Sequence, residues 1–125
     1  MITLSACKEE EKIKEIFKEK SLDYNEKSGC VFARFENEIL GYCLYYLDEK
    51  QICILYLEPQ DDIMLADGIL RSALHIAAER SAMDASYSED APESLFEKLG
   101  FILDKNSRKL DIDKLFKGCG CCEKE

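Results

Sequence analysis

The residues best suited to chemistry sit near the end of the chain. Cys119, Cys121 and Cys122 put three thiols within four residues, spaced by Gly120. Such a set can wrap a soft ion, Zn(II) or Cu(I). A standard zinc motif carries a second ligand pair, and none stands at the usual spacing, so a fourth ligand has to come from Cys7, Cys30, Cys43, Cys53, His75 or another chain. The same thiols suit a redox-active tail, with Lys114, Lys117 and Lys124 near enough in sequence to acidify them. A third reading is a flexible end with no chemistry of its own. His75 is the only histidine; inside a helical pattern, with Glu79 at i+4, it reads as a boundary or core residue. No Gly-x-Ser-x-Gly elbow marks a serine nucleophile. Tyr42, Tyr45, Tyr46 and Tyr56 fall on strand-like segments. Alternation puts Tyr42 and Tyr46 on one face and Tyr45 on the other, as cross-strand packing or as the wall of a cleft. Glu58, Tyr56 and Tyr87 could each serve as a base, with nothing to select one; Tyr56 and Tyr87 read first as packing residues, and Glu58 as a solvated strand end.

The elements that must position these residues follow from pattern. Ile2 to Ala6 reads as a first strand. Lys8 to Lys20 reads as a helix, with Ile13, Ile16 and Phe17 in one stripe and Glu9, Glu10 and Glu11 at the end where the helix dipole favours negative charge. After a polar loop from Ser21 to Ser28, three apolar runs read as strands: Cys30 to Phe35, Ile39 to Leu47 and Gln51 to Leu57. The turns at Glu36 to Glu38 and Asp48 to Lys50 make them an antiparallel meander, and Pro59 stops the last. Asp62 to Ser81 is the clearest helix, its stripe running through Ile63, Ala66, Leu70, Ala73, Leu74 and Ala77, with Asp61 or Asp62 as its cap. Ala85 to Tyr87 reads as a short strand. Ala91 to Leu99 reads as a short helix with Pro92 in its first turn and Gly100 as C-cap. Phe101 to Leu103 and Lys109 to Ile112 read as a closing strand pair. The order β-α-β-β-β-α-β-α-β-β implies an α/β fold: a mixed, mostly antiparallel sheet flanked by helices. Residues 1–113 form one domain, and 114–125 a Cys-rich tail.

Composition bounds the partners. The chain has 125 residues, 46% hydrophobic and 34% charged, enough for a core without disulfides. Its formal net charge of -9 excludes nucleic acid and anionic membrane as partners and suits a cationic or amine partner. Seven cysteines, an odd number, fit free thiols in a reducing compartment. With no apolar run of about 20 residues and no basic leader, the expectation is a soluble, cytoplasmic protein. Both monomer and homodimer stay open.

Two segments give this order a family likeness. Ser94-Leu95-Phe96-Glu97-Lys98-Leu99-Gly100-Phe101 resembles the late signature of the GNAT superfamily of N-acetyltransferases. Leu55-Tyr56-Leu57-Glu58-Pro59, followed by the helix from Asp62, resembles the strand, loop and helix that hold acetyl-CoA in that family. The resemblance implies N-acyl transfer from acetyl-CoA to a small amine. It implies that Leu55, Tyr56 and Leu57 hold the pantetheine arm and that Ala66, Asp67 and Gly68 receive the phosphates. The alternative is a GNAT-like binding or regulatory module with a metal- or redox-responsive tail at Cys119, Cys121 and Cys122. The chain departs from the family at four positions. Asp61 stands at the basic or amide position of the phosphate loop, and Met64 at its first glycine. Phe96 replaces the tyrosine that protonates the leaving thiolate, and Ile54 the glutamate that often serves as base.

Overall fold

The computed structural model describes residues 2–6, 9–36, 38–89 and 91–112. Ten elements follow in the expected order: β1 (Ile2–Ala6), α1 (Glu10–Glu19), β2 (Ser28–Phe35), β3 (Glu38–Leu47), β4 (Gln51–Glu58), α2 (Ile63–Glu79), β5 (Asp84–Tyr87), α3 (Glu93–Leu99), β6 (Ile102–Asp104) and β7 (Lys109–Leu110). The strands form one mixed sheet in the order β1-β2-β3-β4-β5-β7-β6. Only β4 and β5 pair in parallel. The antiparallel pairs β2–β3 and β3–β4 make the meander, with Val31 opposite Cys43 and Cys43 opposite Leu57.

Alternation along β2 and β3 supplies apolar side chains to both faces of the sheet. Val31, Ala33, Cys43 and Tyr45 pack on one side, beneath α2 and α3. Cys30, Phe32 and Leu44 pack on the other, beneath α1 through Ile13 and Phe17. The α2 stripe is buried at Ala66, Ile69, Leu70, Ala73, Leu74 and Ala77. Each large aliphatic there contributes about 1.5–3 kcal/mol by leaving water.

Local signals set the helix ends. Asp62 caps α2, its side chain accepting from the Leu65 N–H at 3.1 Å. α3 ends at Gly100, whose φ of 75° lies in the left-handed region that glycine enters without penalty. Pro92 is the N-cap of α3 rather than a first-turn residue. His75 corrects the sequence reading, for its side chain is 63% exposed, 3.7 Å from Glu79. At 100° per residue it stands ~170° from the centre of the buried α2 stripe.

Candidate functional site

The site starts from a one-residue irregularity in β4. Leu44 pairs with Tyr56 but Tyr45 pairs with Ile54, so Leu55 is an extra residue opposite β3. The bulge changes which face each side chain meets. Ile52, Ile54 and Leu57 all pack on the α2 side, while Leu55 and Tyr56 both pack on the α1 side. Strict alternation would have put Tyr56 with Ile52 and Ile54.

The same stretch loses its neighbour. β5 pairs with β4 only as far as Ile54 opposite Tyr87, and the Ser88 N–H to Ile54 carbonyl bond of 2.9 Å is the last backbone link. Beyond it the chain turns into α3, and only a long contact from Ser88 Oγ to the Leu55 carbonyl, 3.5 Å, spans the gap. Leu55 to Glu58 therefore present a strand edge with no strand beside it among the described residues. Gly41 lets the far end of this edge lie close on β3, since a Cβ there would come within 2.5 Å of the Glu58 carbonyl oxygen and 2.6 Å of Pro59 Cδ. The Glu58–Pro59 peptide is cis.

On the α1 side the bulge gathers a polar cluster. The Tyr56 hydroxyl donates to Glu58 Oε1 at 3.0 Å. The Tyr42 and Tyr56 ring centroids are 6.0 Å apart. Lys20, the residue that closes α1, holds its ammonium 4.3 Å from the Tyr56 ring centroid and 3.9 Å from Glu58 Oε1. Burial works against the Lys20 charge, but Tyr42, Tyr56 and Glu58 outweigh it and raise the Lys20 pKa. Burial, then the Glu58 charge, raises that of Tyr42. A hollow of about 260 Å³ opens beside the cluster, lined by Lys20, Ser21, Leu22, Leu55 and Tyr56. The Tyr56 ring and the Glu58 carboxylate thus hold the Lys20 ammonium at the side of an open strand edge.

The far end of the edge leads to α2. An open hollow of about 620 Å³ lies there, lined by Leu40, Pro59, Asp61, Asp62, Ile63, Met64 and Leu65. Ala66 is fully buried in the core, and its N–H donates to the Asp62 carbonyl at 2.9 Å. Asp67 Oδ2 accepts from Arg71 Nε at 2.8 Å. Gly68 lies inside the helix, and a Cβ there would sit 3.2 Å from Leu4 Cδ1. The structure thus brings Leu55, Tyr56 and Leu57 together on the open edge and places Ala66, Asp67 and Gly68 within the body of α2.

Near the start of the cleft, Tyr87 is buried against Phe96, with ring centroids 5.1 Å apart, and its hydroxyl donates to Glu93 Oε2 at 2.5 Å. Burial first, then the Glu93 hydrogen bond and charge, push the Tyr87 phenol up to about 12. Phe96 and Ile54 are fully buried and apolar. Cys119, Cys121, Cys122 and Cys7 lie outside the described residues. Among the described residues no three His, Cys, Asp or Glu side chains are placed to hold a metal, and no helix is long and apolar enough to cross a membrane.

Sequence reasoning passed over Lys20 and took Glu58 for a solvated end. Its one available signal was charge complementarity between two positions 38 residues apart, which no local pattern displays.

With its meander, its bulged fourth strand and a parallel fifth strand that parts from it after four residue pairs, this chain has a GNAT-like fold. A GNAT-family protein from Desulfovibrio desulfuricans, assigned as an acetyltransferase, superposes with a TM-score of 0.56 at 11% identity, over 80% of this chain and 83% of its own. YhhK from E. coli, assigned as an N-acetyltransferase and solved bound to coenzyme A, gives 0.56 at 12% identity, over 89% of this chain and 98% of its own. No protein-family model matches the sequence, and no curated protein does.

The residues fit an acyl-CoA donor in one half. The open edge of β4 suits the pantetheine arm, which can add to it as a strand would. The helix end beyond it does not suit a diphosphate, because a carboxylate already caps it.

Proposed function

We propose that this protein transfers an acyl group from a thioester donor, laid along Leu55 to Glu58, to a small primary amine entering beside Lys20 and Tyr56. The observation that carries this reading is the juxtaposition of the open β4 edge with the Tyr56 ring and the Glu58 carboxylate, which hold the chain's own Lys20 ammonium. The coenzyme A bound by YhhK, a protein of the same fold, supports a donor of this class. The net charge of -9 favours the approach of a cationic acceptor.

In the reaction the amine nitrogen bonds to the thioester carbon and the carbon–sulfur bond breaks. The amine must first lose a proton, and Glu58, already an acceptor for Tyr56 and 3.9 Å from an ammonium, is the carboxylate placed to take it. The departing sulfur takes its proton from solvent at the open edge. Holding the two reactants in line is the main contribution of the fold.

The test is acyl transfer to a panel of primary amines, followed by mass spectrometry. Replacing Glu58→Gln is expected to lower kcat by roughly 100-fold or more, with little change in donor binding. A Gln variant with full kcat removes Glu58 from the reaction; no acylated product from any amine removes the transferase reading.

One observation favours a second reading. Phe96 and Ile54, both fully buried and apolar, leave two positions without proton-transfer groups. On that reading the domain is a binding or regulatory module, and Cys119, Cys121 and Cys122 form its metal- or redox-responsive part. Zinc titration of the reduced full chain decides it: unchanged thiol reactivity and no bound zinc remove that role.

A further inference from the structure

A donor lying on the β4 edge has one way to run. The edge begins at Leu55, where β5 departs, and ends at Glu58, where Pro59 leads into the loop before α2. Whatever extends past the pantetheine arm of the donor must therefore meet the start of α2. A diphosphate is held at a helix start by free N–H groups and a positive potential. Here the start already carries a capping carboxylate. The Asp62 carboxylate accepts from the Leu65 N–H at 3.1 Å, and the Ala66 N–H is spent on the Asp62 carbonyl. Asp61 and Asp62 both line the hollow, with Met64 projecting beside them, 87% exposed. Among the described residues, no Lys or Arg side chain lines that hollow to offset the two carboxylates.

We propose that the cleft selects its acyl donor by the pantetheine arm alone and gives the nucleotide diphosphate of coenzyme A no seat. The substrate class is then an acyl thioester of pantetheine, or of a comparably short thiol without a charged nucleotide. This rests on the acyl-transfer reading above. Asp62 has two effects that reinforce each other: it takes the Leu65 N–H, one of those an anion would use, and it repels the anion. Binding energy from the nucleotide half, which other sites draw on to fix a donor, is absent here.

The experiment is an amide-resolved NMR titration of the full reduced chain with S-acetylpantetheine and, separately, acetyl-CoA. Both ligands are expected to shift the amides of Leu55 to Glu58, and neither those of Ile63 and Met64. Acetyl-CoA is expected to bind no more than about threefold tighter than S-acetylpantetheine. Raising salt from about 0.05 M to about 0.5 M should strengthen acetyl-CoA binding by screening the carboxylates and leave the neutral ligand unchanged. The double variant Asp61→Asn, Asp62→Ser keeps a capping side chain and removes both charges, and is expected to tighten acetyl-CoA by about tenfold. Acetyl-CoA binding that is about tenfold tighter than S-acetylpantetheine, with shifts at Ile63 and Met64, overturns the inference and leaves the transferase reading standing. Amides of Leu55 to Glu58 that respond to neither ligand overturn both.

Discussion

Replacing Gly41→Ala tests the close approach on which the open edge depends. The new Cβ would lie 2.5 Å from the Glu58 carbonyl oxygen, 2.6 Å from Pro59 Cδ and 2.9 Å from Ile69 Cδ1. Comfortable contacts are about 3.5–4 Å, so each overlap approaches an ångström. Two of the three partners are backbone and a proline ring, which cannot turn aside. Overpacking of this kind costs about 1–3 kcal/mol. For a chain of this length that corresponds to a fall in Tm of about 4–12 °C. Thermal and urea unfolding give the number, with the urea slope unchanged if only the native state is strained. Gly68→Ala is the control of opposite sign. Its Cβ meets only the end of the Leu4 side chain, at 3.2 Å. Alanine within a helix gains about 0.5–1 kcal/mol over glycine. A Gly41→Ala variant within about 0.5 kcal/mol of wild type would refute the close packing of β3 against Pro59. A Gly68→Ala variant that loses thioester binding would place Gly68 at the donor after all.

Two further outcomes follow from burial. Ala66→Glu puts a carboxylate into a fully buried position of the α2 stripe, and is expected to unfold the chain or cost several kcal/mol, visible by circular dichroism; a folded, stable variant would show that position 66 faces the hollow. The Tyr87 phenol, raised to about 12 by burial and Glu93, binds its proton more tightly folded than unfolded. Its contribution to stability is therefore complete below about pH 10 and lost as the pH rises from about 10 to 12. Tyr87→Phe is expected to flatten the alkaline fall of Tm in that window, and an unchanged slope would assign the fall to other groups.

Much of the fold was legible because each element carried its own signal. The α2 stripe repeats at helical spacing for four turns, and Asp62 stands where a cap is needed. Leu99-Gly100-Phe101 marks a helix end through the one residue that enters the left-handed region freely. Alternation in β3 placed Tyr42 and Tyr46 opposite Tyr45 correctly. His75 was misplaced because it was judged by nearness to the stripe in sequence rather than by angle. The phosphate-side residues came from the family resemblance, although the helix read from Asp62 already enclosed them. Because α2 starts at Ile63, Ala66 and Gly68 fall within its hydrogen-bonded turns.

The bulge explains why the rest of the site was not legible. From Ile52 to Leu57 every residue is apolar or aromatic, so the sequence shows no break in period that would mark Leu55 as extra. Yet that one residue brings Tyr56 to the face of Tyr42, Glu58 and Lys20, at the point where β5 parts from β4. Shortening β4 by Leu55 would restore strict alternation with Tyr56 and Glu58 still on the α1 side, so the ammonium cluster is expected to survive the loss of the bulge. The donor edge is built from backbone and makes few demands on side-chain identity. The helix start, by contrast, depends on side chains, and there Asp61, Asp62 and Met64 have replaced anything that would welcome a phosphate. Under the proposed transfer, the backbone edge would serve the arm of the donor, and the side chains at the helix start would decide what the arm can be attached to.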